Sequence, residues 1–222
     1  MDIRENIRKI KEGLPSNVTL VAVSKTKPVD DILEAYDSGH LIFGENKVQD
    51  LVQKYETLPK DIEWHMIGHL QTNKVKHIAP FIHLIHAVDS LKLLKVINNE
   101  ALKNGRVVPC LLQFHIASEE TKYGLSLSEA EELFSSKDYM GLTNVGIQGV
   151  MGMATFTDDK EKIRKEFRTL KGIFDKLKSK YFRGEASFKE ISMGMSDDYL
   201  LAIEEGSTLV RIGSSIFGPR NY

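Results

Sequence analysis

The sequence predicts an α/β protein: a single (β/α)8 TIM-like barrel over residues 1–222, with an extra helix at its N-terminus. Three observations predict it. Eight short apolar runs rich in β-branched residues alternate with segments of helical periodicity. No linker long enough to separate two domains interrupts the alternation. A length of 222 residues suits a barrel that forms one unit. The competing architecture is an open doubly wound sheet, which needs fewer strands.

The elements follow in order. "MDIRENIRKIKEG" places Ile3, Ile7, Ile10 and Leu14 at helical spacing, and it is too charged for a signal peptide. The first strand is expected over residues 19–24, then a helix "VDDILEAYDSG" stopped by Gly39. "HLIFGEN" reads as the second strand and "VQDLVQKYETL" as the next helix. "IEWHMIGHL" is the third strand, after which "TNKVKHIA" leaves room for only a short helix. "FIHLIHAVD" is the fourth, followed by a helix ending on Gly105. "VVPCLLQFHI" is the fifth, followed by "SLSEAEELFSS", a helix opened by a serine cap and early acids. "NVGIQGVMGMA" is the sixth, followed by a long helix over residues 160–181. "FKEISMGM" is the seventh, followed by "SDDYLLAIEEG", a helix with a serine or aspartate cap. "TLVRIGSSIFG", residues 208–218, is the eighth. Only "PRNY" follows, which leaves no room for a last outer helix, so the N-terminal helix is expected to cover that gap.

Composition bounds the function. Acids and bases nearly balance at a formal net charge of −1, which argues against a general affinity for nucleic acid or anionic membranes. The single cysteine, Cys110, cannot form an internal disulfide and fits a reducing compartment. No apolar stretch reaches membrane-spanning length. A cytoplasmic soluble protein is the expectation.

In such a barrel the chemistry lies at the C-terminal strand ends. Those ends carry Lys25, Asn46, His69, Asp89 and His115, then residues 151–153, 192–196 and 211–215. "SMGMS" leads into a helix, and "RIGSS" offers Gly213 with the hydroxyls of Ser214 and Ser215. Either loop alone reads as a turn with capping serines. Both together, after strands seven and eight, favour phosphate. "GSSIFG" lacks the lysine of a nucleotide P-loop. Lys25 ends an apolar run, either because it leaves the core for water or because an amine is held there for chemistry. Facing a phosphate site, with Lys27 and Arg211 as nearby cations, such an amine suits a Schiff base with a phosphorylated aldehyde, and pyridoxal 5′-phosphate (PLP) is one.

Other candidates are weaker. His65 and His69 lack the glutamate of a zinc protease motif, and with His83 and His86 they read as core or surface residues. "KEKIRKEFR" reads as a solvated helix face and Cys110 as inert core. The methionines of "GVMGMA" and "SMGMS" either fill the core or wall a flat ring.

"VAVSKTKP", "FGEN", "EWHMIGHLQTNK", "HAVDS", "GVMGMAT" and "SMGMSDDYLLAIEEGSTLVRIGSSIFG", in this order from near residue 19 to the end, together resemble the YggS/PROSC family of pyridoxal phosphate homeostasis proteins. That family is similar in fold to the N-terminal barrel of alanine racemase. The resemblance implies that Lys25 is the internal aldimine lysine, that Arg211 faces the pyridine nitrogen, and that Ser192, Gly213 and Ser214 hold the phosphate. Asn46 and His69 fall at motif positions near the ring. Many relatives carry threonine where Ser214 stands, and the hydroxyl is kept.

An arginine keeps its proton in a protein, so it would leave the ring nitrogen unprotonated and the ring a poor electron sink. Racemases on this barrel also use a second domain and a second base from a partner. The expectation is a monomer that buffers PLP and delivers it to PLP-dependent apoenzymes, with amino acids as further partners and little or no turnover. The alternatives are a low-activity PLP-dependent amino-acid racemase and a barrel enzyme acting on a sugar phosphate through Lys25.

Overall fold

The computed structural model describes residues 2–118 and 123–219. Eight parallel strands close into a barrel in chain order. They are β1 (Thr19–Val23), β2 (Ile42–Glu45), β3 (Glu63–Met66), β4 (Leu84–Val88), β5 (Val108–Gln113), β6 (Val145–Met151), β7 (Glu190–Met195) and β8 (Leu209–Ile212). β1 pairs with β8 as well as β2, which removes both sheet edges and excludes the open sheet.

Around them run α1 (Ile3–Gly13), α2 (Val29–Asp37), α3 (Val48–Thr57), a 3₁₀ turn (Thr72–Lys74) leading into α4 (Val75–Ile78), and α5 (Leu91–Lys103). Then come α6 (Leu127–Ser135), α7 (Lys137–Met140), α8 (Lys160–Tyr181), α9 (Tyr199–Glu204) and α10 (Ser214–Phe217). The expected serine start of α6 is a capping box: Ser126 Oγ accepts from Glu129 N at 3.2 Å, and Ser126 N donates to the Glu129 carboxylate at 2.7 Å. Asp198 is the N-cap of α9, but its carboxylate accepts from Met195 N at 2.6 Å and caps no helical N–H.

α1 covers the gap beside β8. It buries Ile3 and Ile7, takes an N–H bond from Ile3 to Glu34 on α2, and donates from Asn6 Nδ2 to Ile216 O on α10 at 3.0 Å. Most apolar side chains form one layer between strands and helices, with Phe43, Trp64 and Phe167 fully buried. A second, smaller cluster includes Val21, Leu84, Leu111, Met151 and Leu209 and packs within the barrel. The interior also holds polar side chains, with His65, His86, Ser192 and Arg211 all buried.

The strands are shorter than the apolar runs. The eighth run, expected as one strand, pairs only over Leu209–Ile212 and then turns into α10. The turn falls at Gly213, where a Cβ would lie 3.2 Å from Val23 O, so the backbone of β8 presses on β1 as it leaves the sheet.

Candidate cofactor-binding site

β1 ends on a buried polar knot. Ser24 is fully buried, its N–H donates to Gly44 O at 3.1 Å, and its hydroxyl donates to Glu45 Oε1 at 2.6 Å. Lys54 on α3 donates to Glu45 Oε1 at 2.7 Å and to Ser24 O at 2.9 Å. Burial raises the Glu45 carboxyl above its usual range, and Lys54 and Ser24 oppose that rise. The strand end next to Lys25 is thus fixed from beneath.

Thr26 follows at φ 64°, a backbone region that costs a β-branched residue energy and here turns the chain sharply after Lys25. Lys25 is half-buried and lines a cavity of about 450 Å³ at the C-terminal mouth of the barrel. Lys27 also borders the cavity, but its ammonium donates to Phe217 O and Pro219 O, each at 2.8 Å. It straps the loop after β1 to the segment after β8.

The cavity gathers Asn46, His69, Arg211, Gly213 and Ser214 with Lys25. Asn46 and Gly68 meet closely: a Cβ on Gly68 would stand 2.4 Å from Asn46 O, so only glycine lets the ends of β2 and β3 converge there. His69 has Nδ1 3.4 Å from Asp89 Oδ2 and stacks on Tyr123 with ring centroids 4.8 Å apart. His115 is exposed; Gln113, two residues earlier, lines the cavity and donates to Tyr123 O at 2.9 Å.

Arg211 is 4% exposed. It donates to Ser192 Oγ at 2.5 Å and to Gly152 O at 3.2 Å. Burial lowers its pKa to about 10, with the Asp198 carboxylate opposing the drop, so it stays protonated at neutral pH.

Ser192 departs from its expected place. It is fully buried and does not line the cavity, because the β7–β8 register sets it level with Leu209, a layer below Arg211. The hydroxyl that reaches the cavity is that of Ser196, four residues on, which accepts from Gly213 N at 3.2 Å. Ser196, Gly213 and Ser214 thus share one border of the cavity. One methionine of each Met-Gly-Met triplet lines it too, Met153 and Met195, while Met151 and Met193 are fully buried. Sequence reasoning did not single out Gln113, Tyr123 or Asp197. Gln113 carried a usable signal, as the first polar residue to follow the apolar run of the fifth strand.

The donor set fits a phosphorylated pyridine aldehyde. It offers an amine at Lys25, a buried cation at Arg211, and the hydroxyls of Ser196 and Ser214 beside the close backbone of Gly213 for an anion. No group of three or more His, Cys, Asp or Glu residues is placed to hold a metal among the described residues.

Comparison with known proteins agrees with this geometry. Residues 1–221 match the family "Alanine racemase, N-terminal domain". The chain is 41% identical over 204 residues to the pyridoxal phosphate homeostasis protein of Aquifex aeolicus, covering 91% of this chain and 87% of that one. It is 33% identical to the Escherichia coli K12 protein of the same name, covering 100% and 98%. The structure of PipY from Synechococcus elongatus with PLP bound superposes at a TM-score of 0.84 and 31% identity, covering 97% of this chain and all of PipY. An alanine racemase from Clostridium difficile shares the fold, at a TM-score of 0.75 and 15% identity, with this chain covering 56% of its length. The chain belongs to the pyridoxal phosphate homeostasis protein family, built on the alanine racemase N-terminal barrel.

Proposed function

We propose that this protein binds PLP through Lys25 and acts in PLP homeostasis, holding the cofactor and releasing it to apoenzymes. The observation that carries the reading is the convergence of Lys25, Arg211 and the Ser196–Gly213–Ser214 border on one cavity. When bound, PLP supplies an aldehyde that the Lys25 amine captures reversibly. Arg211 would meet the pyridine nitrogen as a donor, which keeps that nitrogen unprotonated. Ser196 and Ser214, with the Gly213 backbone, would take the phosphate, and Met153 and Met195 would flank the ring. Ser192 supports Arg211 from below. A monomer is proposed as the working unit. The one cysteine is buried, which suits a reducing cytoplasm, and no helix among the described residues is long and apolar enough to cross a membrane.

The test is capture of PLP by purified protein. A yellow product is expected that borohydride bleaches, leaving a pyridoxyl group on Lys25 by peptide mass spectrometry. Lys25→Ala should lose the colour and keep measurable affinity for the phosphate. A label on another lysine would overturn the assignment.

A second reading has one observation in its favour. His69, oriented by Asp89, shares the cavity with Lys25 and offers a second proton carrier for a weak amino-acid racemase. Exchange of the α-proton of amino acids in heavy water, far faster than with free PLP and lost in His69→Ala, would favour it.

A further inference from the structure

We propose that His86 and His65, neither of which lines the cavity, are positioning residues that seat Arg211 through Ser192. The inference rests on the reading of Arg211 as the partner of the cofactor's ring nitrogen. The contacts form one buried chain. Arg211 Nη1 lies 2.5 Å from Ser192 Oγ, Ser192 Oγ lies 2.9 Å from His86 Nδ1, and His86 Nε2 lies 3.0 Å from His65 Nδ1. Burial holds both imidazoles neutral: it lowers His65 to about 3 and His86 well below the ordinary histidine range.

The direction of the chain follows from counting protons. A guanidinium only donates, so Ser192 Oγ accepts from Arg211. The serine has one proton of its own, and its remaining partner among the described residues is His86 Nδ1. If Ser192 donates there, His86 carries its proton on Nε2 and donates to His65 Nδ1. His65 then carries its proton on Nε2, a buried atom without a partner among the described residues. Reversed, the chain still leaves His65 Nε2 bare, and it also strands the serine proton. The first direction leaves one group unsatisfied and the second leaves two, so the first prevails.

The consequence is specific. With its proton turned to His86, Ser192 presents only lone pairs to Arg211. The guanidinium is held by two neutral oxygens, Ser192 Oγ and Gly152 O, and by no carboxylate among the described residues. Its position is fixed and its charge is left for the cavity.

Two measurements test this. In uniformly ¹⁵N-labelled protein freed of PLP, long-range imidazole spectra should show His65 and His86 neutral with the proton on Nε2. A proton on Nδ1 of either overturns the direction. The second measurement is binding. His86→Leu, shown to be folded by circular dichroism, should weaken PLP binding up to about tenfold, the worth of one hydrogen bond, and leave inorganic phosphate affinity unchanged. His86→Asn, whose carbonyl can accept from Ser192, should recover most of the loss. Unchanged PLP affinity in His86→Leu, or equal losses in both variants, overturns the positioning role. Should His86→Leu fail to fold, the imidazole spectra of the unaltered protein still decide. Unaltered protein with these tautomers that takes up no PLP would overturn the cofactor reading, and this role with it, while the direction of the chain stands.

Discussion

Replacing Lys54 by methionine tests whether the knot under β1 fixes Lys25. Lys54 is 8% exposed and makes two bonds, to Glu45 Oε1 at 2.7 Å and to Ser24 O at 2.9 Å. Without it, Glu45, at 0% exposure, keeps only the Ser24 hydroxyl, and its Oε2 has no partner even in the parent. Breaking a buried pair by removing one partner costs about 3–5 kcal/mol, because it strands the other charge. The expected loss in a urea titration at neutral pH is therefore about 3 kcal/mol or more.

The loss should depend on pH with a definite sign. The folded-state pKa of Glu45 is raised, chiefly by burial. A raised carboxyl favours the fold below its unfolded pKa and loses that contribution as pH climbs through its folded value. Removing Lys54 raises Glu45 further, so Lys54→Met should be closer to the parent at about pH 5 than at about pH 8. Adding Glu45→Gln should restore part of the stability, since no charge is then stranded. Lys54→Met should also slow PLP capture by Lys25, whose strand end it loosens. A destabilisation under about 0.5 kcal/mol, the ordinary range for surface changes, or one that grows as pH falls, would refute the reasoning.

Three further outcomes are expected. Ser196→Ala should weaken inorganic phosphate binding measured by calorimetry while Ser192→Ala leaves it unchanged, because only Ser196 reaches the cavity border. Gly68→Ala should lower stability by about 1–3 kcal/mol by thermal melting and impair PLP binding, since its Cβ would stand 2.4 Å from Asn46 O. Ser126→Ala should cost about 1 kcal/mol through the lost cap and leave PLP binding untouched, since the α6 capping box lies away from the cavity.

The barrel was legible because each strand is a compact apolar run bounded by turn residues, and because polar residues collect at one end of each. Lys25, Asn46, His69, Arg211, Gly213 and Ser214 were legible as strand-end residues of that kind. The place of Ser192 was not legible because the register of β7 against β8 shifts between Ser192 and Met195. Sequence alone does not fix how many residues of "SMGMS" stay in the sheet. The role of Lys27 was hidden for a related reason: its partners are backbone carbonyls some 190 positions away, and no side-chain pattern encodes them. The histidine chain was read as ordinary core because a lone histidine in an apolar strand carries no sign of its neighbour across the barrel.

The most direct measurement is a crystal structure of the protein grown with PLP. The account predicts electron density continuous from Lys25 Nζ into the ligand, the ring nitrogen beside Arg211 and the phosphate between Ser196, Gly213 and Ser214. Ligand bonded to a different lysine, or a phosphate lying away from that border, would contradict it.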